Sequence, residues 1–319
     1  MVSKRAMDGT WVAYLTSGYD NATGAGVIFE VDASTGVILR KLNAGASLTS
    51  PTNQSQLAKI NAYFDAFATN NTALALYGGD MNGNLWRWDL QSNTASPVAG
   101  QRLGILTDST GATQPITTRP EVGLVSGSRV VFVGTGRLLN AADITTTSPQ
   151  SFYAIKDNNQ DNGVLRNNAG MTRQTMTVNA AAGVAALSSN PVNWTSGLGW
   201  FFDFGAQSGE RMNVDPVLAL GTLHIIGNVP GGATCAIGGS SWYYQISFTT
   251  GTNVPGSPNA GQLTLGGLTV GQNVIKLQST GAMKNLITDS SGNQTTYAVS
   301  FSTTSSSTTR TSWREIIAE

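Results

Sequence analysis

Asp80-Met81-Asn82-Gly83-Asn84 places oxygen-bearing side chains at alternating positions, the spacing with which a calcium-binding loop opens. Such a loop needs glycine at its sixth position, where Leu85 stands, and a closing glutamate in a stretch that holds only Asp89. Asn-Gly between two apolar runs is also a strong hairpin signal, and the segment is read as a type I′ turn, with Asp80, Asn82 and Asn84 as weak cation ligands. Gly134-Thr135-Gly136-Arg137 follows an apolar strand as half of a phosphate-binding loop does. No helix and no third glycine follow to hold a pyrophosphate, so a sharp turn is expected. Asp143, Asp157, Asp161, Asp203, Glu210 and Asp215 are carboxylates of the kind that hydrolyse glycosides in pairs, but nothing in the spacing pairs two of them. Glu210-Arg211, beside an Asp-Pro strand start, reads as an ion pair or structural tie. Tryptophans can stack on sugars, but between sheets they fill layers ~10 Å apart. Trp86, Trp88, Trp242 and Trp313 are read as packing, and Trp194 and Trp200, beside an insertion, as the exposed binding candidates.

His224 and Cys235 are the sole histidine and cysteine. One cysteine makes no intrachain disulfide and no zinc cluster. A general-base mechanism using histidine could draw only on His224, which sits in the apolar run LHIIGN and reads as a structural strand residue.

Charged residues make up only 11% of the 319, with 18 Lys+Arg against 18 Asp+Glu, so the chain lacks the basic excess of a nucleic-acid binder. The 37 glycines, with many Ser, Thr and Asn, place solubility on hydroxyls, amides and turns, as in secreted or surface β proteins. No window approaches the ~20 apolar residues of a membrane span. The start MVSKRAMDGTW has two positive charges but no apolar h-region, so it is not a signal peptide. Either the protein stays inside the cell or the chain begins partway through a longer exported one, and the second reading is the expectation here.

The elements behind these residues recur. An apolar strand, a Gly or Asp turn and an aromatic-rich strand appear over Trp11–Gly36, Ala73–Asn93, Arg129–Gly163 and Leu223–Gly251. Proline introduces an inner strand at Arg119-Pro120 and Asp215-Pro216, with Thr49-Ser50-Pro51 a weaker copy, and Gly127 and Gly221 mark the turns that follow. A repeated sheet unit that cannot bury its own faces must stack on its neighbours. The expected fold is all-β, a modified, quinoprotein-like β-propeller with four units and a degenerate fifth from Lys284 onward. Either this ring closes, or blades preceding Met1 complete it. Residues 1–319 read as one propeller domain or its later part, with insertions near 55–71, 143–150, 167–199 and 251–271. Leu57, Ile60, Phe64 and Phe67 fall at helical spacing, and the Ala-rich Thr177–Leu187 also reads as locally helical. Asn253–Ile275 reads as a further hairpin or short strands.

At this point the motifs resemble a known family. Gly79, Asp80, Gly83 and Trp86 stand in YGGDMNGNLWRWDL, which is similar to a strand signature of the type IV pilus biogenesis factors called PilY1 or PilC. Ile116–Gly123, with Arg119 and Pro120, resembles that family's next strand. Gly134 and Gly136 in VFVGTGRLL, followed by Asp143 and QSFYAIKD, resemble the run after it. GWFFD at Gly199–Asp203, Glu210-Arg211, Asp215-Pro216-Val217, Cys235 with Trp242, and the closing Ser312-Trp313-Arg314-Glu315 continue the series in order.

The resemblance implies a non-enzymatic propeller at or near a pilus tip. It would be exported to the cell surface, partner pilins or minor pilins, and promote pilus assembly and adhesion to a host or surface ligand. Family members often carry an acidic calcium loop before the G-D-x-x-G-N strand. Here that stretch is Lys59–Asn71, with Asp65 its sole carboxylate. Asp65, Asn70 and Asn71 make at best a weak site, and no cofactor is expected. Two other readings stay open: a quinoprotein-like dehydrogenase, which typically uses adjacent cysteines and calcium, and a carbohydrate-binding module using Trp194 or Trp200.

Overall fold

Short runs of alternating apolar residues, punctuated by Gly- and Asp-rich turns, favour antiparallel strands that bury one face each. The computed structural model describes residues 1–45, 55–64, 69–92, 98–205, 207–233, 236–264, 266–277 and 280–301. The first sheet runs antiparallel through β1 (Val2–Arg5), β2 (Trp11–Thr16), β3 (Val27–Asp32) and β4 (Ile38–Asn43). The second holds β5 (Ile60–Phe64), β6 (Thr72–Gly79) and β7 (Asn84–Asp89). The short β8 (Val98–Ala99) returns to lie parallel to β4, and β9 (Gln101–Ile105) completes the second sheet on β7. β1 also runs parallel to the start of β6, so the first two sheets are continuous.

The third sheet starts with β10 (Glu121–Val125), β11 (Ser128–Gly134), β12 (Ser151–Lys156) and β13 (Met171–Gln174). The chain then leaves for the hairpin β14 (Met176–Asn179) and β15 (Val184–Leu187), and returns as β16 (Gly199–Asp203), which lies between β12 and β13. The fourth sheet is β17 (Val217–Ala219), β18 (Thr222–Ala233), β19 (Ala236–Ser247) and β20 (Gly261–Leu263), extended by β15 and β14. A three-stranded fifth follows: β21 (Thr269–Lys276), β22 (Met283–Asp289) and β23 (Gln294–Ala298).

Four apolar cores lie between successive sheets, and strand alternation assigns each side chain to one of them. Val131 and Val133 of β11, Tyr153 and Ile155 of β12 and Phe201 of β16 join Tyr77 and Leu85 of the second sheet. Their neighbours Val130, Phe132, Phe152, Trp200 and Phe202 turn the other way, to Leu223, Ile225, Trp242 and Tyr244 of the fourth. Trp86, Trp88 and Leu90 face the first sheet with Tyr14 and Ile28, on the single face that their spacing predicts. Ile226 and Tyr243 meet Ile287 of the fifth. This is the radial stacking of a β-propeller.

The four repeated strand pairs are β2–β3, β6–β7, β11–β12 and β18–β19, and the proline-led inner strands are β10 and β17. The copy at Pro51 lies outside the described residues, and β5 holds the inner place in the second sheet.

Three local expectations are corrected. The stretch read as a helix around Leu57–Phe67 contains β5, whose five residues are all buried. An inner strand packed on both faces needs apolar residues at successive positions, which mimics a helical stripe. The Ala-rich Thr177–Leu187 is the β14–β15 hairpin, turned through Gly183 at φ +63°, and it buries alternate residues Ala185 and Leu187. At the Asp80 turn Gly83 alone adopts a left-handed φ, +76°, so the turn is not type I′. The type I′ geometry lies instead at Ser126-Gly127 (φ +49° and +77°) and Leu220-Gly221 (φ +50° and +76°), joining β10 to β11 and β17 to β18.

Candidate functional site

The signature residues gather where one sheet hands the chain to the next. Asp80 directly follows β6 and is fully buried. Its Oδ1 accepts from the backbone N–H groups of Asn82 and Asn84, both at 2.9 Å, and its Oδ2 accepts from Asn84 Nδ2 at 2.9 Å and Trp86 Nε1 at 2.8 Å. Burial raises the Asp80 pKa above its ordinary value, outweighing the hydrogen bonds from Trp86 and Asn84 that favour the anion. A cation entering here would have to displace those N–H donors, so Asp80, Asn82 and Asn84 are arranged as a turn rather than as a ligand set. The same five-residue box recurs at Asp289: Oδ1 accepts from Ser291 and Asn293 N–H at 2.9 Å each, and Oδ2 from Asn293 Nδ2 at 3.1 Å. Of the other calcium candidates, Asn70 Oδ1 accepts from Thr72 Oγ1 at 2.6 Å, the Asn71 carbonyl accepts from Lys4 N–H at 2.8 Å, and Asp65 lies outside the described residues.

Glycine ends β6 and β11 because the next segment crosses against it at each. A Cβ on Gly79 would lie 2.1 Å from Ile116 Cγ2, and one on Gly134 would lie 2.0 Å from Met212 Sδ. The crossings are equivalent: Ile116 N–H donates to the Asp80 carbonyl and Met212 N–H to the Thr135 carbonyl, each at 3.0 Å. Gly136 has φ +128° and would place a Cβ 2.6 Å from Arg211 Cβ. Thus the Gly-Thr-Gly and Glu-Arg motifs, distant in sequence, form one contact. It is a structural turn, and the element that follows is the short 3-10 helix Ala141–Thr145 rather than an α-helix that could receive a phosphate.

Glu210 and Arg211 point to different partners. The buried Glu210 accepts from Tyr244 Oη at 2.5 Å. Arg211 donates to backbone carbonyls: Asp143 at 2.6 Å, Gly209 at 2.8 Å, Arg137 at 3.3 Å, and Thr146. Its guanidinium therefore holds the 3-10 helix Ala141–Thr145, whose Asp143 carboxylate accepts from Arg137 Nε at 2.7 Å.

A second cluster ties the inner strands together. Asp215 Oδ1 accepts from Lys59 Nζ at 2.9 Å and from Arg119 N–H at 3.0 Å, joining the starts of β5, β10 and β17. Asn61 Nδ2 donates to the Pro120 carbonyl at 2.9 Å, and Gln272 Nε2 of β21 donates to the Asp215 carbonyl at 2.9 Å. Pro120 and Pro216 sit just before β10 and β17, where no ladder N–H is lost.

The remaining carboxylates accept from cations or hydroxyls. Asp157 takes Tyr77 Oη at 2.5 Å and Arg87 Nε at 2.9 Å, Asp161 takes Arg102 Nη2 at 2.7 Å, and Asp203 takes Ser151 Oγ at 2.7 Å together with Arg166. Although burial works against it, the hydrogen bonds from Arg166 and Ser151 and the charges of Arg166 and Arg173 hold the Asp203 carboxyl below its ordinary pKa. The Tyr77–Asp157–Arg87 group was not singled out from sequence. The signal for it was the alternation that puts Arg87 opposite Trp86 and Trp88, in register with Tyr77. It borders a cleft of about 440 Å³ lined by Arg87, Asp89, Gln101, Val98 and Asn159. His224 is buried with Nδ1 2.7 Å from Tyr243 Oη, as a structural strand histidine.

One binding expectation fails. Trp200 is fully buried among Phe132, Phe152 and Phe202, with Nε1 donating to the Phe248 carbonyl at 3.2 Å, so it cannot stack on a sugar. Alternation on β16 aims it inward, and the insertion beside it does not uncover it. Trp194 is half-buried and donates to the Thr249 carbonyl at 2.7 Å. Trp242 is buried in the core between the third and fourth sheets, and Trp313 lies outside the described residues. Among the described residues, no group of three or more His, Cys, Asp or Glu side chains is placed to hold a metal ion, and no helix is long and apolar enough to cross a membrane.

Comparisons with known proteins agree with this geometry. The family model for the PilY1 beta-propeller domain matches residues 2–188. The type IV pilus biogenesis factor PilY1 of Pseudomonas aeruginosa is 29% identical over 295 residues, covering 77% of this chain and 25% of that protein. A PilY1 homolog from Xylella fastidiosa is 27% identical over 280 residues, covering 79% of this chain and 18% of that protein. The chain thus spans about a quarter or less of these curated relatives. The crystal structure of the Pseudomonas aeruginosa PilY1 C-terminal domain superposes with a TM-score of 0.73 at 22% identity, covering 92% of this chain and 70% of that one.

Proposed function

The chain belongs to the PilY1 beta-propeller family, and from that premise we propose that it serves type IV pilus biogenesis as a non-enzymatic propeller. The observation that carries this is the likeness, over 77% of the chain, to a protein named as a type IV pilus biogenesis factor. The geometry supports a scaffold. The signature residues Gly79, Asp80, Gly134, Gly136, Glu210, Arg211 and Asp215 are spent on turns, crossings and strand ties. In the finer reading, the protein is exported to the cell surface, stands at or near the pilus tip with pilins or minor pilins as partners, and takes part in adhesion. This reading carries no cofactor.

The test is deletion of the encoding gene, complementation, and immunoblotting of sheared surface fibres for both pilin and this segment. The expected result is loss of surface pilin on deletion, its return on complementation, and the segment in the fibre fraction. Unchanged surface pilin in the deletion strain overturns the biogenesis role. Restored pilin with the segment absent from the fibres overturns the tip placement alone.

A further inference from the structure

The cleft beside Arg87, about 440 Å³, is of ligand size. Its lining comes from β7, β8 and β9 and from the turn after β12, so it opens where the second sheet meets that turn of the third. The walls are fixed. Arg87 is only 9% exposed, and its guanidinium is held at three points. Nε donates to Asp157 Oδ2 at 2.9 Å, Nη1 to Asn159 Oδ1 at 2.7 Å and Nη2 to Asp89 Oδ2 at 3.3 Å. The turn that carries Asn159 is clamped to β9. Arg102 Nη2 donates to Asp161 at 2.7 Å, Asn162 Nδ2 to the Leu103 carbonyl at 2.9 Å, and Ile105 N–H to the Gly163 carbonyl at 2.7 Å. Polar groups already held in place lose little freedom when a ligand arrives.

We propose that this cleft binds a neutral saccharide, one or two sugar residues of a glycan. The lining selects that chemistry by exclusion and by fit. Asp89 and Asp157 flank Arg87, so an anion meets carboxylates and a cation meets a guanidinium. Val98 and Ala99 are too little apolar surface for an apolar ligand, but enough for the C–H face of one sugar ring. The rest of the lining offers donors and acceptors side by side. The three bonds of Arg87 use three of the five N–H groups of a guanidinium. Because Asn159 Oδ1 is taken by Arg87, its amide nitrogen is left as a donor. Gln101 stands in register with Arg87 across β7 and β9, and its Nε2 donates to the Arg102 carbonyl at 2.9 Å, which leaves Oε1 as an acceptor. The half-exposed Asp89 carboxylate accepts from Arg87 and from Gln91 N–H and keeps further lone pairs. Each sugar hydroxyl donates once and accepts twice, and two adjacent hydroxyls match the spacing of a planar amide, carboxylate or guanidinium. The cleft holds all three planar groups around one opening. This site is separate from Trp194, and it goes beyond the role in pilus biogenesis.

The test is a glycan array read with the purified full chain. The array carries neutral glycans ending in mannose, glucose, galactose or N-acetylhexosamine, beside sialylated and uronate-bearing ones. Two variants probe the cleft without touching the core. Gln101→Ala removes an exposed amide, and Asn159→Gly removes another at a left-handed φ of +55° that glycine adopts freely. The expected result is signal on neutral glycans that falls about tenfold in each variant, the loss of one or two hydrogen bonds, and that persists in Trp194→Ala. Melting curves that match the parent's show that the fold is kept. No glycan signal from the parent, signal that both variants retain, or signal confined to the acidic glycans each overturns the assignment, the last in favour of an anion site on Arg87. Binding is read on purified protein, so its failure leaves the biogenesis role, which is read from surface pilin, standing.

Discussion

The side chain of Met212 occupies the space that any side chain on Gly134 would need: a Cβ there would lie 2.0 Å from Met212 Sδ and 2.9 Å from Met212 Cβ. The residues are 78 positions apart, and their contact welds the end of β11 to the segment leading into β17. Overpacking of this kind costs about 1–3 kcal/mol. Gly134→Ala should therefore lower the denaturant midpoint by that equivalent. In a double-mutant cycle with Met212→Ala, the pair should lose less stability than the sum of the singles. Additive losses would show that the methionine moves aside freely.

Leu220 holds a left-handed φ of +50° and is 52% exposed, so it pays for a type I′ turn without packing in return. Asparagine adopts this region more readily. Leu220→Asn should stabilise the protein by about 1 kcal/mol, visible as a raised denaturant midpoint. A lowered midpoint would mean that the leucine makes contacts in solution that its exposure conceals.

Asp80 accepts N–H donors on both carboxylate oxygens while fully buried. Asp80→Asn turns an NH₂ towards at least one of those donors, and should cost roughly 1–3 kcal/mol for the polar group left unsatisfied. Since these donors fill the carboxylate, adding calcium or EGTA should leave the parent's melting temperature unchanged. A calcium-dependent rise lost in Asp80→Asn would make this turn a cation site.

Asp203 has a folded-state pKa below its ordinary value, held there by Arg166 and Ser151 against the cost of burial. The sign follows: its contribution is fully present above about pH 3.9, the unfolded value, and is lost as pH falls through the lower folded value. Urea midpoints measured between pH 6 and 2 should fall in the acid range. The fall should be shallower in Asp203→Asn, which starts from lower stability. Parallel curves for the two proteins would remove Asp203 from the acid response.

Trp200 and Trp194 should separate cleanly. Trp200→Ala empties a fully buried site and should cost about 3–5 kcal/mol. Trp194→Ala, half-buried, should cost less. A glycan array should show no signal that depends on Trp200 in protein that remains folded, and any such signal would contradict its burial.

Much of this architecture is written in local pattern. The four strand pairs, the proline-led inner strands and the single face shared by Trp86, Trp88 and Leu90 follow from alternation and turn chemistry, which act over a few residues and survive in the linear chain. The family was legible for a related reason. Its motifs are the glycines, Asp turns and Asp-Pro starts that each handover between sheets requires. Partners across sheets were not legible. That Gly134 awaits Met212, that Asp215 gathers Lys59 and Arg119, and that Glu210 turns to Tyr244 while Arg211 holds the Ala141–Thr145 carbonyls depend on which sheets stack and at what height. The same holds for the errors. An inner strand buried on both faces, as at Ile60–Phe64, loses the alternation that identifies it, and Trp200 looked exposed because an insertion adjoins it in sequence. The sequence by itself determined the repeating β unit and its turns, because those are set by neighbours along the chain. Only the tertiary structure decided which side chains are sealed between sheets and which remain on a surface, because burial is settled by residues dozens of positions away.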